Sequence, residues 1–498
     1  MARTSLSVPV FLGLARCGAL ALLHGIQQPI QPPIGSEAAS LKAVGLVTSD
    51  LSFCDKRTRL TRRRPLPTVA PVVAAEDPWP SKGGNSHRTG GTGVKATLDL
   101  SLPHWSFYHY DVTYSTTLID REGNVYIAPT GNTIFSLRPD GQLRWRAALN
   151  AGEPANPVLW AGALYVSDRA GFGYALDAAT GKKLWQRKVA DAASPGNYAV
   201  TVDHGLAIFH QDTGLGWSKN TAFIACNASN GETLWKVQVH VPFFNVMPAF
   251  ADGGASLVFT DIEGGIHKHE SSTGREIWSR AGWPFPLTRE ANWNAGAGGA
   301  PRSHSALALV ADGVVYSAGN HESSKGRVRA LRLETGEELW RRDFDRMMGN
   351  AAALANIDGV PTLVFGTGPT PLHPIKEAKP PFRGTFYALS AATGEELWRF
   401  EAEPFYTGLC PGSVLMPFCQ RLNLPDSWSA PTIDGRGNVY VGWEGGIVYV
   451  LDGRSGRMLA QFNATEGIQS QPAIGANGEL VITSGMTTHS FWPEHSSA

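Results

Sequence analysis

From about residue 120 onward, apolar and polar residues alternate in short runs, and each run stops at a glycine, an aspartate or an asparagine. DREGNVYIAP, VLWAGALYVSD, ADGVVYSAG and DGRGNVYVGW are examples. Alternation with a period of two marks strands with one buried face, and the bounding turn residues mark hairpins. A second kind of hairpin follows each of these. The clearest copy is Ala175-Leu-Asp-Ala-Ala-Thr-Gly-Lys-Lys-Leu-Trp185. Further copies end at Trp145, Trp235, Trp278, Trp340, Trp398 and Ala460. Their spacing of roughly 40 to 60 residues is that of four-stranded propeller blades.

Each unit therefore reads as four antiparallel strands. Such a small sheet cannot bury both faces alone, so it must stack on neighbours, and a closed ring leaves no face open. The terminal tryptophan is the natural wedge between blades. It buries on the order of 200 Å² and brings an indole N–H that needs an acceptor. Seven segments are present in full. GIQSQPAIGANGELVITSGMT follows the seventh as an opening hairpin without its second half, and TLDLSLPHWSFYHY precedes the first with Trp105 and no hairpin ahead of it. Joining these two remnants gives an all-β, eight-bladed propeller closed by pairing of N- and C-terminal strands. A seven-bladed ring with loose ends is the alternative. It leaves an apolar strand exposed.

The segment Ala175–Trp185 resembles the tryptophan-docking motif AxDxxTGxxxW of the pyrroloquinoline-quinone (PQQ) type propeller family at every fixed position. Asn227, Glu270, Arg332 and Ser390 depart from it where Asp177 stands, and Ala460 departs at the last position. DPWPSKGGNSHRTG is similar to the W-P-x-x-x-G-N-x-x-R-T-G phrase of the same family. The resemblance runs from about Asp77 to the C-terminus. It implies the fold, and it implies two functions. One is a binding scaffold, as in the lipoprotein propeller of the bacterial outer-membrane barrel-assembly machine. The other is a quinoprotein dehydrogenase acting on alcohols or sugars, with PQQ stacked on a tryptophan under adjacent cysteines, Ca²⁺ on a carboxylate and a catalytic aspartate.

Aligning the starts of the innermost strands places Ser115, Thr116, Asn156, Tyr198, Ser305, Ser429 and Gln471 around one mouth of the channel, with His304 and Trp428 just ahead of two of them. These are hydroxyls and amides. No carboxylate stands in the aligned ring and no vicinal cysteine pair occurs, whereas Ca²⁺ prefers several oxygen ligands including carboxylates. Glu290 and Asn292 are the nearest such cluster. The expectation is a non-catalytic binding propeller without cofactor; PQQ with Ca²⁺ belongs to the alternative.

The 43 Lys and Arg balance the 43 Asp and Glu. Without a basic field, nucleic acid is not an expected partner. A protein or small ligand is expected to bind a monomer through rim loops. Three long insertions supply such loops, around residues 281–302, within GTGPTPLHPIKEAKPPFRG, and in EPFYTGLCPGSVLMPFCQRLNLPD. Cys410 and Cys419 share the last one and pair if the compartment is oxidising; otherwise they are free thiols. His267 and His269 alternate on a strand and face one side, as metal ligands would, but the sequence supplies no evident third ligand. Asn227 and Asn463 open glycosylation sequons, relevant only in a secretory lumen.

Residues 1–75 read as a leader, and 76–498 as the propeller. The apolar stretch Val8–Leu23 resembles a secretory signal and is short for a membrane span. Only Glu37, Asp50 and Asp55 are acidic before Glu76, and a basic stretch closes the leader. The combination suits a bipartite plastid presequence, a signal peptide with a spacer, or a single signal-anchor. The expected location is the secretory pathway, an extracytoplasmic compartment or a plastid.

Overall fold

Eight antiparallel sheets carry nearly all the secondary structure. The structure, a computed structural model, describes residues 77–493 apart from 153–155, 194–198, 212–221, 240–245, 262–263, 282–306, 322–324, 349, 369–380, 407–426 and 465. Blade one is Leu118–Ile119, Val125–Ile127, Thr133–Leu137 and Leu143–Ala148, paired in that order. Blades two to seven repeat the plan. In blade six the innermost strand is split into Met347–Met348 and Ala353–Ile357, both paired with Val360–Gly368. Among the described residues, no helix is long and apolar enough to cross a membrane.

Blade eight is built from both ends of the chain. Ala473–Ile474, Leu480–Ser484 and Thr487–Phe491 supply three strands, and Trp105–Tyr108 supplies the outermost, with Trp105 opposite Ser490 and Tyr108 opposite Thr487. The eight-bladed ring closed by terminal strands is therefore the architecture, and the seven-bladed alternative is not.

One local device joins the blades. Trp185 sits opposite Ala175, where the small partner leaves room for an indole, and the ladder is bulged immediately afterwards. The Trp185 Nε1–H donates to the Ala228 carbonyl of the next blade at 2.8 Å. Trp145, Trp235, Trp278, Trp340 and Trp398 donate in the same way to Ala178, Ser271, Leu333, Ala391 and Gly453, at 2.8–3.0 Å. Trp105 does so to Pro139 at 2.8 Å, across the closing joint. Each ring lies against the turn glycine of the blade it meets. At Gly181, φ is +70° and an added Cβ would lie 2.6 Å from the Trp145 ring. Both the left-handed backbone and the contact demand glycine there.

The joint between blades seven and eight lacks an indole, because Ala460 stands at that position. The geometry gives the reason. In blade eight the outer pair of strands has no connecting turn, since its two strands are opposite ends of the chain, so no turn glycine is present to receive a tryptophan. The N-terminal stretch fills the joint instead. Ala96 and Leu100 pack with Tyr440, Val448, Ile482 and Phe491, with Val94 and Phe462 at the edge of the cluster. The Tyr440 hydroxyl donates to the Thr97 carbonyl at 3.1 Å.

Candidate functional site

The innermost strands turn an unpaired edge toward the axis, and buried N–H groups there need acceptors. Residues 77–100, here called the strap, supply them. Trp79 pairs with Ile119 of blade one. Thereafter the N–H groups of Leu159, Phe250, Val310, Leu354 and Ile433 donate to the carbonyls of Pro80, Ser86, His87, Thr89 and Gly90, at 2.7–3.0 Å. These six residues occupy equivalent positions in blades one, two, four, five, six and seven. Thr97 reaches blade eight through the Gly478 carbonyl at 2.9 Å.

Blade three is met by a side chain. Arg88 is 2% exposed, and its Nη2 donates to Thr201 Oγ1 at 2.9 Å and, more weakly, to the Pro248 carbonyl of blade four. Its Nη1 donates to Ser81 Oγ and the Lys82 carbonyl, at 2.8 and 2.9 Å. Burial pushes the guanidinium down to about 9, with the Asp203 carboxylate acting in the opposite direction. The strap thus touches all eight blades, in chain order except that Arg88 reaches back to blade three.

At the mouth, Ser115, Thr116, Asn156, Ser429 and Gln471 are all buried, and most of their polar atoms are engaged. Ser115 Oγ accepts from the Asn156 N–H at 3.1 Å, and its carbonyl accepts from Ser470 Oγ at 2.7 Å. Ser429 Oγ accepts from the Gly442 N–H and donates to the Ala430 carbonyl. Gln471 is a clamp: its Oε1 accepts from the Gly83 N–H of the strap and its Nε2 donates to the Pro431 carbonyl, both at 2.7 Å. Thr116 Oγ1 and Asn156 Oδ1 are buried without a partner among the described residues. Tyr198 and Ser305 lie outside the described residues, as do His304, Glu290, Asn292, Cys410 and Cys419.

Trp428 is fully buried within a cluster with Phe386 and Trp443, at centroid distances of 5.3 and 4.6 Å. Its Nε1–H donates to the Thr367 carbonyl. Glycines 366 and 384 let these indoles approach the backbone; an added Cβ at either would fall 2.3 Å from a ring atom. Trp428 is thus a wedge between blades six and seven and presents no face to the channel. The described mouth residues do not fit PQQ with Ca²⁺: the donors are hydroxyls and amides bound mostly to each other and to the strap, and the indole is packed away.

Elsewhere, blade four brings His267 and His269 beside Glu276, a ligand type the sequence reading missed. The three donor atoms lie within 4.8 Å of one another. The pairing of His269 with Glu276 follows from the length of the HESSTGRE turn, so the signal was present in the repeat register. Burial pulls the His269 imidazole below its ordinary range; His267 adds to this, and the Gly274 carbonyl and Glu276 oppose it. The free thiol Cys226 is buried and pushed up to about 11. Asn227 Oδ1 accepts from the Ser229 N–H and hydroxyl, so its side chain is turned into the docking turn. The outer strands of blades five and six flank a polar cleft of about 480 Å³, lined by Arg342, Arg346, Arg399, Asp343, Glu396 and Glu401 among others.

The family model described as outer membrane protein assembly factor BamB matches residues 118–215 and 174–367, together half of the chain. The chain belongs to the PQQ-type β-propeller repeat family. Relatives in this family carry different names. BamB of Burkholderia pseudomallei is 26% identical over 274 residues, 54% of this chain and 62% of that protein. This chain thus spans about three fifths of that relative's length. BamB of Yersinia pestis is 26% identical over 67% of this chain and 83% of that protein. The dehydrogenase subunit of the quinone alcohol dehydrogenase of Komagataeibacter europaeus is 24% identical over 68% of this chain and 47% of that protein. Two solved structures share the fold. BamB of Moraxella catarrhalis aligns with a TM-score of 0.56 and 16% identity, over 78% of this chain and 98% of its own. The quinohemoprotein alcohol dehydrogenase of Comamonas testosteroni aligns with a TM-score of 0.61 and 13% identity, over 83% and 80%.

Proposed function

We propose that this PQQ-type propeller is a non-catalytic binding scaffold that presents its rim to a protein partner outside the ordinary cytosol, having been directed there by residues 1–75. The observation that carries the reading is the state of the channel mouth. Its hydrogen-bonding groups hold blades and strap together, and the described ring residues Ser115, Thr116, Asn156, Ser429 and Gln471 offer hydroxyls and amides rather than the carboxylate that a general base or a Ca²⁺ site uses; the buried Glu444, whose N–H donates to the Ser427 carbonyl, is a carboxylate close to them. The BamB relatives, named as outer membrane protein assembly factors, support the same class of role. The mixed-charge cleft between blades five and six offers a rim surface suited to polar protein contacts. The competing reading, a PQQ-dependent oxidoreductase for alcohols or sugars, draws on the likeness to quinone alcohol dehydrogenases.

One experiment separates the two. Purified chain is incubated with PQQ and Ca²⁺, desalted, and assayed for retained quinone absorbance and for dye reduction with alcohols and sugars. The scaffold reading expects neither signal. Retained quinone with dye turnover would replace it with the oxidoreductase. In parallel, capture of a partner by intact protein is compared with capture by a variant trimmed across residues 407–426. A partner that binds both equally would remove that loop from the contact surface.

A further inference from the structure

Blade four's outer hairpin, Ile266–Glu270 paired with Glu276–Arg280, carries three side chains that converge. His267 Nε2 lies 2.7 Å from Asp261 Oδ2, and Asp261 Oδ1 accepts the Gly265 N–H at 2.7 Å. His269 Nδ1 lies 2.8 Å from the Gly274 carbonyl. A carbonyl only accepts, so His269 carries its proton on Nδ1 and turns the Nε2 lone pair outward. The carboxylate of Asp261 sets the opposite tautomer in His267, leaving the Nδ1 lone pair. Both lone pairs face Glu276 Oε2, at 4.0 Å from His267 Nδ1 and 3.8 Å from His269 Nε2. Phe259 stacks on His267 at 5.1 Å with an interplanar angle of 16°, and so limits its rotation.

Blade two shows what the same positions do without this chemistry. There Asp168 Oδ2 accepts from the Tyr174 hydroxyl at 2.5 Å, where Asp261 meets His267 in blade four. Leu176 stands where His269 stands, and it pairs with Lys183 as His269 pairs with Glu276. The aspartate clasp therefore needs neither a second histidine nor a glutamate. Blade four alone of the two replaces tyrosine, leucine and lysine by two imidazoles and a carboxylate.

We propose that His267, His269 and Glu276 form a binding site for a divalent transition metal of the zinc class, with Asp261 and the Gly274 carbonyl orienting the two imidazoles. Two nitrogens and one oxygen suit zinc or its neighbours, while Ca²⁺ and Mg²⁺ favour all-oxygen sites. Histidine ligands that donate their other N–H to a carboxylate or a carbonyl are the usual outer-shell arrangement. Tetrahedral bonds of about 2.0–2.1 Å require donors roughly 3.4 Å apart. Closing the two gaps to Glu276 takes about half an ångström, within reach of its side chain, which is 52% exposed; the two imidazole nitrogens, within 4.8 Å of each other, close by at most about 1.4 Å through small turns of the rings. That exposure leaves the fourth coordination position to water.

The test uses the full chain, stripped with a chelator and titrated calorimetrically with ZnCl₂. One Zn²⁺ should bind per chain, and Co²⁺ in its place should give visible d–d bands. Glu276→Gln should weaken binding at least tenfold and His267→Tyr should abolish it. The tyrosine substitution restores the clasp seen in blade two, so the fold is retained, as an unchanged melting profile without metal would verify. Absence of Zn²⁺ binding to the unmutated chain would overturn the proposal. So would binding of equal affinity and stoichiometry in both variants, which would place the ion elsewhere.

Discussion

The joint between blades two and three and the joint between blades seven and eight solve one packing problem in two ways. At the first, a single side chain, Trp185, fills the gap and satisfies its N–H on the Ala228 carbonyl. At the second, Ala460 leaves the gap open and residues 94–100 occupy it, tied down by Tyr440 and by Asp434, whose Oδ2 accepts the Ala96 N–H at 3.1 Å. The first solution is local and needs only an eleven-residue motif. The second draws on chain more than 300 residues away, with Ala96 and Asp434 separated by 338 positions. A joint of the first kind stands on its own, whereas the second is filled by the end of the strap, which also touches every other blade.

The largest expected effect follows from that difference. Deleting residues 77–97 removes backbone hydrogen bonds from the axis of most blades, each contributing about 1 kcal/mol net, and leaves buried N–H groups without acceptors. A loss of the order of 5 kcal/mol or more should appear as a collapse of the urea midpoint. A midpoint within error of the intact chain would show that the strap is not part of the ring's stability. Trp185→Ala should cost about 3–5 kcal/mol as a large-to-small change at a packed joint. Trp185→Phe should cost less, since it keeps most of the packing and loses the N–H. By contrast, Ala460→Trp should bring no gain, because no turn glycine waits opposite it; a stabilised variant would contradict the account of that joint.

Acid should also distinguish the chain-end joint from the indole joints. Burial pulls His109 down to about 4, against a hydrogen bond to the Asp111 carbonyl that raises it and with the nearby His489 adding to the fall; His489 is likewise pulled down to about 4 by burial. Both lie on or next to the two strands that close the ring. Each is neutral when folded and binds a proton more readily when unfolded. Their contribution is therefore complete above about pH 6.5 and lost as pH falls toward 4. Between pH 7.5 and 5 the loss should be on the order of 2 kcal/mol for each histidine, about 4 kcal/mol for the pair. It should shrink in His489→Gln, and thermal melts at the two pH values measure it. The smallest effect belongs to Tyr440→Phe, about 1 kcal/mol for one buried hydroxyl bond to the strap. An equal loss in a chain already lacking residues 77–97 would show that the hydroxyl acts elsewhere.

The ring, its blade number and its closure were legible because they rest on a repeated register: a turn glycine followed at fixed distance by an indole, and two half-blades that complete each other. The same register places Glu276 opposite His269, two residues before the docking tryptophan. The strap was visible only as a motif. Its work consists of one or two hydrogen bonds per blade to residues scattered across the chain, and no local pattern encodes such contacts. Ser115, Thr116, Asn156, Ser429 and Gln471 each stand just ahead of an innermost strand, yet composition could not tell a ligand-binding hydroxyl from one spent on its neighbours. Gln471 shows the difference, since both ends of its amide are engaged within the protein.

Blade eight imposes an order on biosynthesis. Ser106 meets His489 across 383 residues of sequence, so a nascent chain carries the Trp105 strand for almost the whole of translation before its mate leaves the ribosome. Closing so long a loop is slow, and the waiting strand edge is sticky in the meantime. A premature stop shortly before residue 487 would spare seven blades and still yield a molecule that can never shut.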